Sequence, residues 1–357
     1  MFGWFRFIAA LMVVLTHICG IDFVAGIAVW GFFMLSGFLM TAVLNGRYGL
    51  DANGLRLFAV SRAWRLFPSY WASILLSYVA IRFGGSLLAP ELFNPAMSMP
   101  GTVREVFAGL FIVGHTTLGL GRVEHALSPS AWAVDVEILM YVCSCLVLTR
   151  SATIAGRSLG LLTFVFVGLW FVARKFVAAG DLNMASQLLY SFLPAALLPY
   201  TIGTVLWFRR KDLPAWTSGV GAMAVGVAGL VLCTLVVFPR SVTFAYLGTL
   251  PFLALVLANL SQLTSGARTR AVDDFVGRMA YPVYLLHWLC GYLVGLAFPN
   301  ASSVYSIVND RADFTLLGVL TVTLVVVVLS AVLAAAVEVP LDRMRHQWLN
   351  KKKVAVA

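Results

Sequence analysis

The chain has 357 residues, 61% of them hydrophobic and 11% charged, with a mean hydropathy of +0.92 and a formal net charge of +10. Soluble domains carry about a quarter charged residues, so this composition excludes one. Apolar runs of about 20 residues, long enough to cross a bilayer, recur from end to end. The basic residues lie between those runs, a placement that reads as membrane topology and not as a nucleic-acid patch.

The first predicted span, 4–20, lies in MFGWFRFIAALMVVLTHICG. It lacks a small-x-small cleavage site and His17 interrupts it, so it reads as a retained helix and not as a signal peptide. Arg6 and His17 are three helical turns apart, on one face and about 16 Å apart along the axis. Ionisable groups inside membrane helices are costly and turn towards the protein interior. In the second span, 24–44, FFMLSGF places Gly37 where helices can approach closely and Ser36 where it can bond a backbone carbonyl.

Arg62 and Arg65, one turn apart, precede the third span at 67–83, where Pro68 suits a first helical turn. Two guanidiniums there serve either to anchor the cytoplasmic end or to grip phosphate oxygens with their forked donors. A polar stretch, 84–105, follows as an external loop. The apolar piece 106–117, VFAGLFIVGHTT, is short for a span and reads as re-entrant or interfacial.

The fourth span, 131–149, carries Asp135 and Glu137 in its first two turns. At a spacing of two they do not share a face; each either meets headgroups and water or serves a site. Five spans follow at 158–178, 188–208, 215–237, 242–262 and 280–298, and AYPVYLLHW puts His287 in the middle of the last of these. That histidine is either a hydrogen-bonded core residue or a site residue. The final span is 314–337.

The positive-inside rule decides the count. If 106–117 does not cross, ten spans place both termini and most of the 25 Lys and Arg in the cytoplasm, including Arg6, Arg62, Arg65, Arg278 and Arg345. If it crosses, every later loop flips and most of the charge moves outside. The expected fold is therefore all-α: a polytopic membrane protein of about ten helices plus one short extra helix. We expect one transmembrane domain over 1–357 without an internal repeat or an appended soluble domain. The five cysteines (Cys19, Cys143, Cys145, Cys233, Cys290) have no metal-ligand spacing and read as small hydrophobes, so neither disulfides nor a metal site are expected.

Together these segments resemble the acyltransferase-3 family of bacterial membrane O-acyltransferases. The resemblance rests on Arg6 and His17 of helix one; on FFMLSGF at 32–38; and on Arg62, Arg65, Pro68, Tyr70 and Trp71 as an Arg-x-x-Arg, Pro, Tyr-Trp series. It continues through Trp132 to Glu137 with Tyr141, through Tyr281, Tyr284 and His287, and through EVP at 338–340. The chain departs from the pattern at Ala133 and Asp135, which stand where the family has serines, and at Ile138, where it has an acid.

The resemblance implies transfer of an acyl group, typically acetyl, from cytoplasmic acyl-coenzyme A to a sugar hydroxyl of a cell-surface or exported glycan or glycolipid. The enzyme would sit in the bacterial inner membrane. Acyl-coenzyme A is then a co-substrate, with no permanently bound cofactor, no metal and no nucleic-acid partner. Arg62 and Arg65, with Tyr70, would hold the coenzyme. His17, Glu137 and Arg6 would be catalytic, with Glu137 orienting His17 or taking the proton itself. Ser36, Trp132, Asp135, Tyr141 and His287 would line the substrate pocket. The rival reading is a proton-coupled transporter using intramembrane His, Asp and Glu, although the inverted repeat of many transporters is missing.

Overall fold

The computed structural model describes residues 2–20, 22–238, 241–263, 266–299 and 301–354. Thirteen helices run in order: α1 (Phe2–Cys19), α2 (Asp22–Val43), α3 (Ala52–Gly84), α4 (Val103–Phe111), α5 (Ala131–Cys143), α6 (Ala152–Ala178), α7 (Leu182–Tyr190), α8 (Leu193–Arg209), α9 (Gly219–Leu232), α10 (Val242–Gln262), α11 (Ala267–Ala297), α12 (Leu316–Leu333) and α13 (Val339–Val354). A small antiparallel hairpin, β1 (Tyr305–Val308) and β2 (Arg311–Phe314), precedes α12. Among the described residues, ten helical segments are long and apolar enough to cross a membrane. A helix satisfies its backbone polar groups within the segment, as the bilayer core requires of a span.

Where lipid competes with protein for every apolar side chain, association depends on close packing. Helices α2 and α8 meet in this way. A methyl group on Gly37 would lie 1.9 Å from the Tyr200 carbonyl oxygen, and one on Gly203 would lie 1.8 Å from that of Met34. Any side chain at either position forces the two helices apart. Helices α1 and α11 approach as closely, and the Asp273 carboxylate caps the first turn of α1 by accepting from the N–H groups of Gly3 (3.1 Å) and Trp4 (3.0 Å). The outer bundle surface is apolar: Leu161, Phe164, Leu320 and Leu324 are exposed, as a lipid-facing surface demands.

The apolar piece 106–117 does not cross. Its helical part, α4, starts with a capping box between Thr102 and Glu105, is nine residues long and exposes Val103, Phe107 and Leu110 along one side. Nine residues are too few to span a bilayer, and Trp71 fastens the helix by donating to the Leu110 carbonyl at 2.8 Å.

The predicted span 188–208 is two helices. The chain breaks at Ser191–Phe192, with Pro194 opening α8. The loop 112–130 docks into that break: Leu193 N–H donates to the Leu118 carbonyl at 2.8 Å and Ser191 Oγ to the Gly119 carbonyl at 2.7 Å. Gly119 has φ +90°, and a Cβ there would lie 1.9 Å from the Ser191 carbonyl oxygen. Only glycine permits both the left-handed backbone and that approach.

Candidate active site

Among the described residues two cavities open towards opposite ends of the bundle, and the charge rule assigns the arginine-rich end to the cytoplasm. The cytoplasmic one, about 660 Å3, is lined by six arginines: Arg6, Arg62, Arg65, Arg270, Arg278 and Arg345. Four elements supply them, which is why no single stretch of sequence displays the cluster. Asp342 of α13 pairs with Arg278 (3.1 Å) and with Arg345. Glu338, in a π-helical turn (Ala334–Glu338) between α12 and α13, pairs with Arg65 and accepts from Ser69 Oγ at 2.6 Å.

Arg6 and Arg62 carry no ion pair among the described residues. Arg62 lies over the Phe58 ring at 5.6 Å, and its Nε is buried without a hydrogen-bond partner, as is that of Arg345. Both arginines line the cavity, so these donors are available to an acceptor there. Against the arginines, Glu137 Oε1 accepts from Ser36 Oγ at 2.5 Å and Tyr141 Oη at 2.7 Å.

The outer cavity, about 250 Å3, holds His17, Trp132, Arg122 and Trp288 in its wall. His17 stacks on Trp288 with ring centroids 4.7 Å apart, and its Nδ1 lies 2.9 Å from His287 Nε2. The tautomers follow from the next bond. His287 Nδ1 lies 2.7 Å from the Tyr284 carbonyl, which only accepts, so His287 Nδ1 carries the proton. A neutral His287 then has a bare Nε2, and His17 Nδ1–H donates to it. His17 is left with an unshared pair on Nε2, the arrangement of a general base held by a second residue. Val29 and Tyr284 line both cavities and form the wall between them.

The expected site residues divide accordingly. Arg6, Ser36, Arg62, Arg65, Glu137 and Tyr141 share the cytoplasmic cavity, whereas His17 and Trp132 line the outer one. His287 is buried behind His17 and touches it directly. Glu137 does not meet His17: the bundle places it on the cytoplasmic side of the dividing wall, and the group that orients His17 is His287.

Like His287, two other expected site residues line neither cavity. Asp135 is buried and accepts from Thr116 N–H (2.8 Å) and Thr116 Oγ1 (3.0 Å), so it clamps the outer loop. Tyr70, fully buried, bonds His115 Nε2 at 3.2 Å and has no surface to offer a coenzyme. Its partner His115 has its pKa pushed down to about 4 by burial, with Arg104 adding a smaller push in the same direction. Arg122, Asp342 and Arg345 escaped the sequence reading because each lies in a loop or terminal helix where a charge is unremarkable. Trp288 was legible only as the neighbour of His287.

Residues 2–335 match the family model described as an acyltransferase domain. The chain belongs to the acyltransferase-3 family. No curated protein and no solved structure matches it. It is a multi-pass membrane acyltransferase.

Proposed function

We propose that this acyltransferase moves an acyl group, typically acetyl, from cytoplasmic acyl-coenzyme A to a sugar hydroxyl of a cell-surface or exported glycan in the bacterial inner membrane. The observation that carries this reading is the pair of cavities sharing a wall: a guanidinium-rich one at the end the charge rule gives to the cytoplasm, and one at the opposite end with an oriented imidazole. The donor's phosphates suit Arg62 and the Arg345 edge, each with an unpartnered Nε, and Arg6 beside them, because guanidinium forks match phosphate geometry. A cavity of about 660 Å3 lies within the range of nucleotide-sized ligands. The pantetheine arm then runs towards Val29 and Tyr284. Glu137 offsets the arginine charge beside Ser36 and Tyr141 and positions the donor.

On the outer side, His17 Nε2 accepts the proton of the sugar hydroxyl as its oxygen attacks the thioester carbonyl. The C–O bond forms and the C–S bond breaks. The thiolate leaves and takes the proton back from the His17 imidazolium, so the histidine returns to its starting state. His287, through its carbonyl-anchored Nδ1–H, keeps His17 in the tautomer that does this.

The test is acyl-coenzyme A turnover by the protein purified in detergent, following coenzyme A release with and without a sugar acceptor. Release that depends on acceptor and disappears in His17→Ala supports the reading. No turnover with acetyl- or longer acyl-coenzyme A across a panel of glycosides overturns it.

A further inference from the structure

The outer cavity has one cationic side chain, Arg122, and no carboxylate in its wall. Arg122 comes from the loop 112–130 and lies over the Trp132 ring, its guanidinium carbon 4.2 Å from the ring centroid. It has no carboxylate partner among the described residues, and Glu124, two positions on, is exposed and outside the cavity. Stacking on an aromatic face fixes the plane of a guanidinium while leaving its in-plane N–H donors free for a planar or tetrahedral anion.

Five aromatic residues, Trp132, Trp288, Tyr190, Tyr246 and Tyr284, line the cavity as well, with the neutral polar Asn94, Ser130 and Ser186. Aromatic faces suit the apolar side of a sugar ring. The neutral polar groups can donate to and accept from sugar hydroxyls, whereas a guanidinium beside the base with no carboxylate in the wall is matched by an anion. At about 250 Å3 the space is below the usual range for drug-sized ligands, roughly 300–1,000 Å3. It fits one sugar unit, with the rest of the acceptor projecting outwards.

We propose that the acceptor is an anionic glycan, and that Arg122 binds a carboxylate or phosphate on the sugar unit whose hydroxyl is presented to His17. This rests on the acyl-transfer reading for the identity of the cavity, but it is tested by binding alone, with no donor present. Arg122 acts on the acceptor as a specificity-determining residue; the donor's arginines lie on the other side of the Val29–Tyr284 wall.

The experiment titrates the purified full chain with methyl glucuronide, glucose 1-phosphate and methyl glucoside, reading the fluorescence of tryptophans that include Trp132 and Trp288 in the cavity wall. One charge-assisted pair corresponds to about a tenfold or greater preference for an anionic sugar over the neutral glucoside. Arg122→Gln is expected to remove that preference while leaving the weak affinity for methyl glucoside in place, and Arg122→Lys to retain part of it. Preference for the glucuronide assigns a carboxylate and preference for the phosphate assigns a phosphoryl group. Equal affinity of the wild type for all three, binding of none of them, or an unchanged preference in Arg122→Gln overturns the proposal. Acceptor-dependent turnover in the same preparations reports on acyl transfer separately, so the two readings fail independently.

Discussion

Replacing His17 by alanine isolates the chemical step from everything else in the bundle. The ring makes one hydrogen bond, from Nδ1–H to His287 Nε2 at 2.9 Å, and stacks on Trp288. Removing it strands one acceptor beside a cavity that water can enter, so the stability cost is about 1 kcal/mol. The arginines that suit the donor lie in the other cavity, so coenzyme binding stays at its wild-type value. The rate falls by about 10²–10⁴, the contribution of a positioned general base. His287→Ala leaves His17 in place without its tautomer lock, and its expected cost is roughly 10–100-fold, as for other residues that orient an active-site histidine. Because His287 acts only through His17, the double variant loses no more than His17→Ala alone. The assay is acceptor-dependent coenzyme A release by purified proteins of matched thermal stability, with donor affinity measured by calorimetry. A stable His17→Ala protein that works at near wild-type rate refutes the assignment of the base. A double variant whose loss equals the product of the single losses refutes the relay.

Arg62→Ala weakens donor binding by about tenfold or more in calorimetry while leaving expression intact, because Arg62 has no ion-pair partner among the described residues to strand; unchanged affinity would reduce it to a topology anchor. Glu137→Gln lowers turnover strongly yet alters thermal stability by less than about 1 kcal/mol, because the amide oxygen still accepts from Ser36 and Tyr141. Asp135→Ala does the reverse, costing about 3 kcal/mol by stranding Thr116 N–H and Oγ1, and a thermal melt that does not move would show that the loop is held elsewhere. The His115 pKa of about 4 in the folded protein lies below its unfolded value of 6.5, so protonation favours the unfolded loop. Stability is therefore full above pH 6.5 and declines by up to about 3 kcal/mol as pH falls towards 4. A His115→Gln variant should lose that part of the acid sensitivity, and melting curves at pH 7 and pH 4.5 read it directly.

The membrane architecture was legible in the residues themselves, because bilayer thickness sets a run length and the charge rule sets a direction, neither of which needs a neighbour. Arg6 and His17 on one face of α1 were equally readable, since helical periodicity is local. Depth and partnership were not. Asp135 and Glu137 are two residues apart and look alike in the sequence, yet one clamps Thr116 of the outer loop and the other faces six arginines. Which it is depends on α2 approaching through Ser36 and on where the loop 112–130 docks. The break at Ser191 followed from no periodic pattern, because it exists to receive Leu118 and Gly119. His287 gained its relation to His17 only when α1 and α11 packed together, 270 residues apart in sequence. Local rules determine where a chain enters and leaves a membrane. Which buried charges share a cavity is decided by close contacts between distant helices, and those contacts have no period to read.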